Sequence, residues 1–333
     1  MVPSWRFRRK LSKSRYTLWV SNQTQASKGI IALFIAALAF SLNGIVSKLV
    51  LEAGLSPWRM AEVRSTGAFS AFFIYLALFK RSALRFDLKA LPEMLIYGIV
   101  GYAGVQAFYF VAILRMPVSV GLIIEFTAPI WITLWIKYVR KQPVARTMWL
   151  AIALAFSGLL LIAQVWKGLI FDTWGVIAAF LDAFALTAYF LLGEKWGKRA
   201  PTETLMIYGF GISMLFWWAT FPIWSYPTEI FSKQIDLRGQ LAGTMTSGWV
   251  LILFVIFVGT IIPYTGNLIG ITKTSASSAA IIGMLEPVLA GIFAWIWLSE
   301  TFNLVQLIGA ALVISGIYIA TKVRSVTQQI VPE

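Results

Sequence analysis

About ten stretches of apolar residues run along the chain, parted by short polar or basic segments. A helix needs about 20 apolar residues to cross the hydrocarbon core of a bilayer. Residues 30–46, 148–166, 205–226, 249–271 and 304–320 meet or approach that length without one charge. The pattern predicts helices over 29–51, 57–79, 91–114, 117–138, 145–166, 173–193, 202–226, 247–271, 275–298 and 302–321. The expected fold class is all-α: a polytopic membrane protein with ten transmembrane helices.

The second half repeats the first. Gly101 and Gly259, Arg115 and Lys273, Pro129 and Pro287, and Ser157-Gly158 and Ser315-Gly316 are each 158 positions apart. The first and sixth helices match at the shorter offset of 146, through Gly29 and Gly175, Phe34 and Phe180, and Ala37 and Ala183. An insertion of 12 residues before the eighth helix reconciles the two offsets, and the polar connector near 227–246 is long enough to hold it. Five spans per copy insert the copies in opposite orientations, as secondary transporters with a site between two inverted halves do. The expected organisation is a basic tail (1–28), a first repeat (29–167), a second repeat (173–323) and a C-terminal tail (324–333).

Composition sharpens this picture. Of 333 residues, 59% are hydrophobic and 13% charged, which is not the balance of a soluble chain. There is no Cys and no His, which removes disulfides, thiolate or imidazole metal sites and Cys or His catalysis; no metal or cofactor is expected. The net charge of +14 does not point to nucleic acid, because the basic residues sit in short loops. Counted on alternate sides of the ten spans, 21 Lys and Arg fall on one side and four on the other. The positive-inside rule then puts both termini in the cytoplasm and the chain in the cytoplasmic membrane. The acid-free leader, with seven basic residues, reads as a cytoplasmic tail, with an organellar transit peptide as the alternative.

Ionisable groups at bilayer depth are expensive and usually face a bundle interior or a wet cavity. Glu125, Asp182 and Glu286 lie well inside predicted spans, the first and last in equivalent helices. They are candidates for binding an amine or carrying protons; hydrogen bonding to a neighbouring helix is the structural alternative. Lys48 lies near the outer end of the first helix, where it can snorkel. Arg64 lies deeper in the second and needs a partner from another helix, since Glu62 does not share its face. Asn43, Gln106, Tyr109, Tyr189, Tyr264 and Asn267 are uncharged site candidates, each also able to serve as an interhelical hydrogen bonder. Pro129, Pro263 and Pro287 each free a backbone carbonyl inside a span, which fits bends beside a cavity or packing kinks. Trp217 and Trp218 are expected to face lipid.

With these residues in order, the chain resembles the drug/metabolite transporter superfamily, of the kind built from two EamA-type repeats. The resemblance covers about 29–324 and rests on Asn43, Lys48, Arg64, Gln106, Phe108, Phe110, Pro129, Glu286-Pro287, Leu298-Ser299-Glu300, Gly309 and Ser315-Gly316. The family usually places a glutamate just after the fourth helix; here that position is Gln142. The resemblance implies a central cavity among helices 1, 3, 4, 6, 8 and 9, with helices 5 and 10 peripheral and available for homodimerisation. The expected activity is alternating-access export of a small polar, amino-acid-like molecule. A passive facilitator, an organellar metabolite or nucleotide-sugar carrier, and a membrane-embedded enzyme are the rivals, the last without a recognisable catalytic spacing.

Overall fold

The computed structural model describes residues 5–84, 88–164, 166, 172–298 and 303–330, and side chains within 24–322. The Ser299-Glu300 motif, the junction at 167–171 and the extreme termini lie outside the described residues. Among the described residues, ten long helices follow in order: α1 (Trp5–Glu52), α2 (Pro57–Phe79), α3 (Leu91–Arg115), α4 (Val118–Val139), α5 (Arg146–Ile162), α6 (Thr173–Gly197), α7 (Thr202–Thr220), α8 (Gly248–Lys273), α9 (Ala276–Trp297) and α10 (Leu304–Ile330). Among the described residues, seven stretches are long and apolar enough to cross a bilayer by length and composition: Thr24–Glu52 of α1, Leu304–Lys322 of α10, and α3, α4, α6, α8 and α9. By the same test α5 is short, at 17 residues, and α2 and α7 fall outside.

Local chemistry explains the ends. Ser56 accepts the N–H of Arg59 and Pro57 occupies the first turn, so α2 starts there. Asp172 caps α6 through the N–H of Gly175, and Ser275 caps α9 through that of Ser278. The first helix begins at Trp5 rather than near Gly29. No Pro or Gly stands between 5 and 28 to stop it.

Two helices are interrupted at matching places. The α4 ladder breaks at Phe126-Thr127 and that of α9 at Met284, three residues before Pro129 and Pro287 respectively. A proline cannot donate to the carbonyl four residues back, so the carbonyls of Glu125 and Gly283 lose their helical donors. Wider π turns occur at Tyr97–Gly104 in α3 and Phe257–Ile261 in α8.

Packing is close where side chains are small. α5 and α10 run antiparallel: a Cβ on Gly158 would lie 2.5 Å from the carbonyl oxygen of Gly309, and one on Gly316 would lie 2.6 Å from that of Ala151. α1 packs on α8 and α9, α6 on α3 and α4, and α2 on α7. The outer faces are apolar and bare, with Leu78, Leu215, Leu307 and Tyr318 each more than half exposed. Soluble monomers rarely show such a surface; lipid is its solvent.

Two expectations are corrected. Trp217 is buried, stacked on Phe221 and tilted against Trp58, rather than facing lipid, whereas Trp218 stays half-exposed with its indole donating to Thr66 Oγ1 at 3.1 Å. Hydropathy cannot separate a core tryptophan from a lipid-facing one, because both surroundings are apolar. The connector before α8 is also no plain loop. It forms a hairpin, β1 (Gln234–Asp236) paired antiparallel with β2 (Met245–Ser247).

Candidate functional site

At the end of the bundle where α1 stops and α4 starts, a vestibule of about 750 Å³ opens between α1, α4, α5 and α9. α1 supplies one stripe of it, Ser41, Gly44, Ile45, Lys48 and Glu52, at the three- and four-residue spacing of a helix face. Gly44 admits Tyr109, whose hydroxyl would stand 3.1 Å from an added Cβ. Glu286, Pro287 and Ala290 from α9 form the facing wall.

Beneath the vestibule lies a second, small cavity of about 50 Å³, and Phe40, Tyr109 and Glu286 belong to both. Asn43, Arg64, Gln106, Glu125, Tyr189, Tyr264 and Asn267 complete its polar lining. Ten of the eleven candidates read from the sequence thus converge on two adjoining cavities from α1, α2, α3, α4, α6, α8 and α9. Asp182 is the exception: it is buried on α6 and lines neither cavity.

Arg64 shows how the backbone prepares the site. Its partners do come from another helix, but they are neutral. Nε donates to Thr260 Oγ1 at 2.7 Å and Nη2 to the Gly259 carbonyl at 2.5 Å, while the guanidinium lies 4.9 Å from the centre of the Phe110 ring. Pro263 explains the free carbonyl, since it has no N–H to offer Gly259. Gly259 is itself required, because a Cβ there would lie 2.1 Å from Asn43 Oδ1. Neither Gly259 nor Thr260 stands out in the sequence as a site residue; the proline four positions after Gly259 was the available signal.

The carboxylates are the reverse case. Among the described residues neither Arg64 nor Lys48 lies within 4 Å of one, and Glu125 and Glu286 accept no hydrogen bond. Glu125 Oε2, Asp182 Oδ1, the Tyr109 hydroxyl and both amide atoms of Gln106 are buried without a partner among the described residues. Native interiors satisfy nearly all such groups, so a cluster of them marks a place prepared for water or a polar ligand.

Toward the other end of the bundle the small cavity is closed off by aromatic rings, and a separate cavity of about 710 Å³ lies there between the α2–α3 and α6–α7 turns. Tyr97, Tyr102, Tyr189, Tyr264 and Phe210 form a continuous aromatic plug with ring centroids 4.7–5.7 Å apart. Beyond it, Arg140 at the end of α4 pairs with Glu194 of α6 at 2.5 Å, and the other oxygen of Glu194 accepts the N–H of Ala276 at the start of α9 at 3.0 Å.

Apolar helices with bare outer faces around a polar, one-ended chamber define a polytopic membrane protein built to admit a small molecule. The chain belongs to the EamA-like transporter family, whose model matches it twice, over residues 27–164 and 173–322. It is therefore a membrane transporter rather than an enzyme. It is 24% identical to a transporter of Bacillus subtilis, YdfC, over 86% of this chain and 88% of that protein. It is also 24% identical to the threonine/homoserine exporter RhtA of Escherichia coli, over 73% of this chain and 75% of that one. A solved crystal structure shares the fold with a TM-score of 0.71 at 17% identity, over 91% of this chain and 99% of its own.

Proposed function

We propose that this transporter exports a small zwitterion of the amino-acid class across the cytoplasmic membrane by alternating access. One observation carries the reading. The vestibule presents one cation and one carboxylate, Lys48 and Glu286, that are paired with nothing among the described residues. That is the charge complement of a molecule bearing an ammonium and a carboxylate. Glu125 and Arg64, just beneath, offer a second station of the same polarity, and the acids can also accept a coupling proton. The similarity to a threonine/homoserine exporter favours the same cargo class.

The reading takes all ten helices as spans, with both termini in the cytoplasm and the vestibule facing out. It takes the two halves as inverted repeats, and the packing supports this. Exchanging α1–α5 with α6–α10 turns the α1–α8 contact into α6–α3 and the α1–α9 contact into α6–α4, and returns α2–α7 and α5–α10 to themselves. At residue level, shifting by 158 turns the approach of Gly158 to Gly309 into that of Gly316 to Ala151. Since equivalent helices α5 and α10 run antiparallel, the two copies would face contrary ways.

Counterflow of labelled L-threonine into proteoliposomes tests the function. Glu125→Gln with Glu286→Gln is expected to cut the rate by about tenfold or more and to flatten its pH dependence, as removal of intramembrane functional acids does. Flux that ignores both substitutions and pH would instead identify a passive facilitator with no role for these acids.

A further inference from the structure

The hairpin between α7 and α8 delivers a residue into the vestibule that no hydropathy argument selects. Arg238, at its turn, lines the cavity wall and pairs with Glu52 at the end of α1. Its backbone is held at φ 59°, ψ −177°, a region that side-chain-bearing residues avoid and that is nearly reserved for glycine. The next residue is a glycine, also at positive φ, so the turn had an unstrained residue within reach one position away. Asp236 holds the strained peptide in place, its Oδ1 accepting the N–H of Arg238 at 2.8 Å and that of Gly243 at 3.1 Å.

Anchoring the hairpin does not require Arg238. The Trp297 indole donates to the Leu237 carbonyl at 2.9 Å, and Lys233 Nζ donates to the Ala53 carbonyl at 2.5 Å. Arg238 therefore occupies a costly conformation for a bond that the fold does not need. The Arg238–Glu52 pair is itself exposed, with 57% of the Arg238 side chain open to solvent, and such pairs are weak enough to exchange. Glu52 stands one helical turn outward of Lys48 on the same stripe of α1, a rise of about 6 Å. Cation, anion and cation thus alternate from Lys48 through Glu52 to Arg238 toward the mouth.

We infer that Arg238 is a carboxylate-binding residue at the vestibule mouth, taking the cargo carboxylate over from Lys48 by releasing Glu52. The planar guanidinium suits this task, because it grips a carboxylate through two parallel N–H donors. The inference rests on the amino-acid reading of the vestibule and adds to it a second carboxylate station and a specificity determinant on the hairpin.

Two probes test it: L-threonine, and L-threoninamide, which keeps the ammonium and lacks the carboxylate. In counterflow from the vestibule face, Arg238→Ala is expected to raise KM for L-threonine about tenfold with the maximal rate within about twofold, the signature of lost binding rather than lost turnover. Threoninamide kinetics stay unchanged, Arg238→Lys falls between, and Glu52→Gln lowers KM for L-threonine by a few fold. An equal effect of Arg238→Ala on both probes, or a fall in maximal rate with KM unmoved, would show a merely structural arginine and overturn the inference. If the wild type carries neither probe, the cargo reading fails separately, and thermal unfolding of the detergent-solubilised protein decides the role of Arg238. Stabilisation by L-threonine but not threoninamide, lost in Arg238→Ala, supports it; identical curves for wild type and Arg238→Ala overturn it.

Discussion

The two ends of the bundle solve opposite problems with similar parts. At the vestibule end α1, α4 and α9 stand apart, and Lys48 and Glu286 face the open space with no ion-pair partner among the described residues. At the sealed end the tips of α4, α6 and α9 are drawn together by one carboxylate, Glu194, which holds Arg140 with one oxygen and the Ala276 N–H with the other. The positions correspond: Glu194 lies 146 residues after Lys48, the offset that relates α6 to α1. An engaged charge at this position goes with a closed end and a free charge with an open one. Behind Glu194 the tyrosine plug removes the remaining space, whereas behind Lys48 the small residues Ser41 and Gly44 leave it. What separates open from shut is thus a few polar contacts at helix tips over a packed or unpacked middle.

Glu194 is the contact whose loss shifts the balance between the two ends most. A charged hydrogen bond at a largely buried site contributes about 2 kcal/mol, so Glu194→Gln is expected to raise the population opened at that end by roughly 30-fold. Alkylation of Ser277→Cys, in the first turn of α9 beside Ala276, reads this out. Unchanged labelling would mean that the plug alone holds the end shut. A different effect, on stability, is expected where both ends share a support, the α5–α10 seam. Gly158→Ala forces a Cβ against the Gly309 carbonyl and Val313, and overpacking of this kind costs about 1–3 kcal/mol. Gly104→Ala, whose Cβ finds nothing nearer than 3.4 Å, is expected to cost less than about 0.5 kcal/mol. Thermal unfolding in detergent compares the two, and equal midpoints would show that the seam is not tight.

Much of this was legible in the sequence because bilayers impose strict rules. Apolar length marked the helices, and the cost of burying charge marked Arg64, Glu125 and Glu286 as interior, where the bundle holds all three. Prolines 129, 263 and 287 pointed to freed carbonyls, and two of them stand at helix breaks. Depth in the membrane, however, does not say which way a residue faces. Asp182 is as buried as expected yet lines neither of the two cavities, and Trp217 sits in the core rather than against lipid. The neutral cage of Arg64 depends on a tertiary approach of α8 to α2 that no spacing encodes. The hairpin escaped for a similar reason: its polar composition reads as connector, and its anchors, Ala53 and Trp297, are distant in the chain.

The central claim is that the two ends open in alternation around one polar chamber. The chain contains no cysteine, so single thiols can be placed in it without background. The most direct test labels Ser119→Cys, exposed in the vestibule, and Ser277→Cys, buried at the sealed end, with a membrane-impermeant maleimide from each side of the bilayer. The predicted result is that Ser119→Cys reacts from one side only and Ser277→Cys from neither, and that adding Glu194→Gln makes Ser277→Cys reactive from the opposite side while Ser119→Cys becomes less so. Both sites reacting from the same side, or Ser277→Cys opening with Ser119→Cys labelling undiminished, would contradict the account.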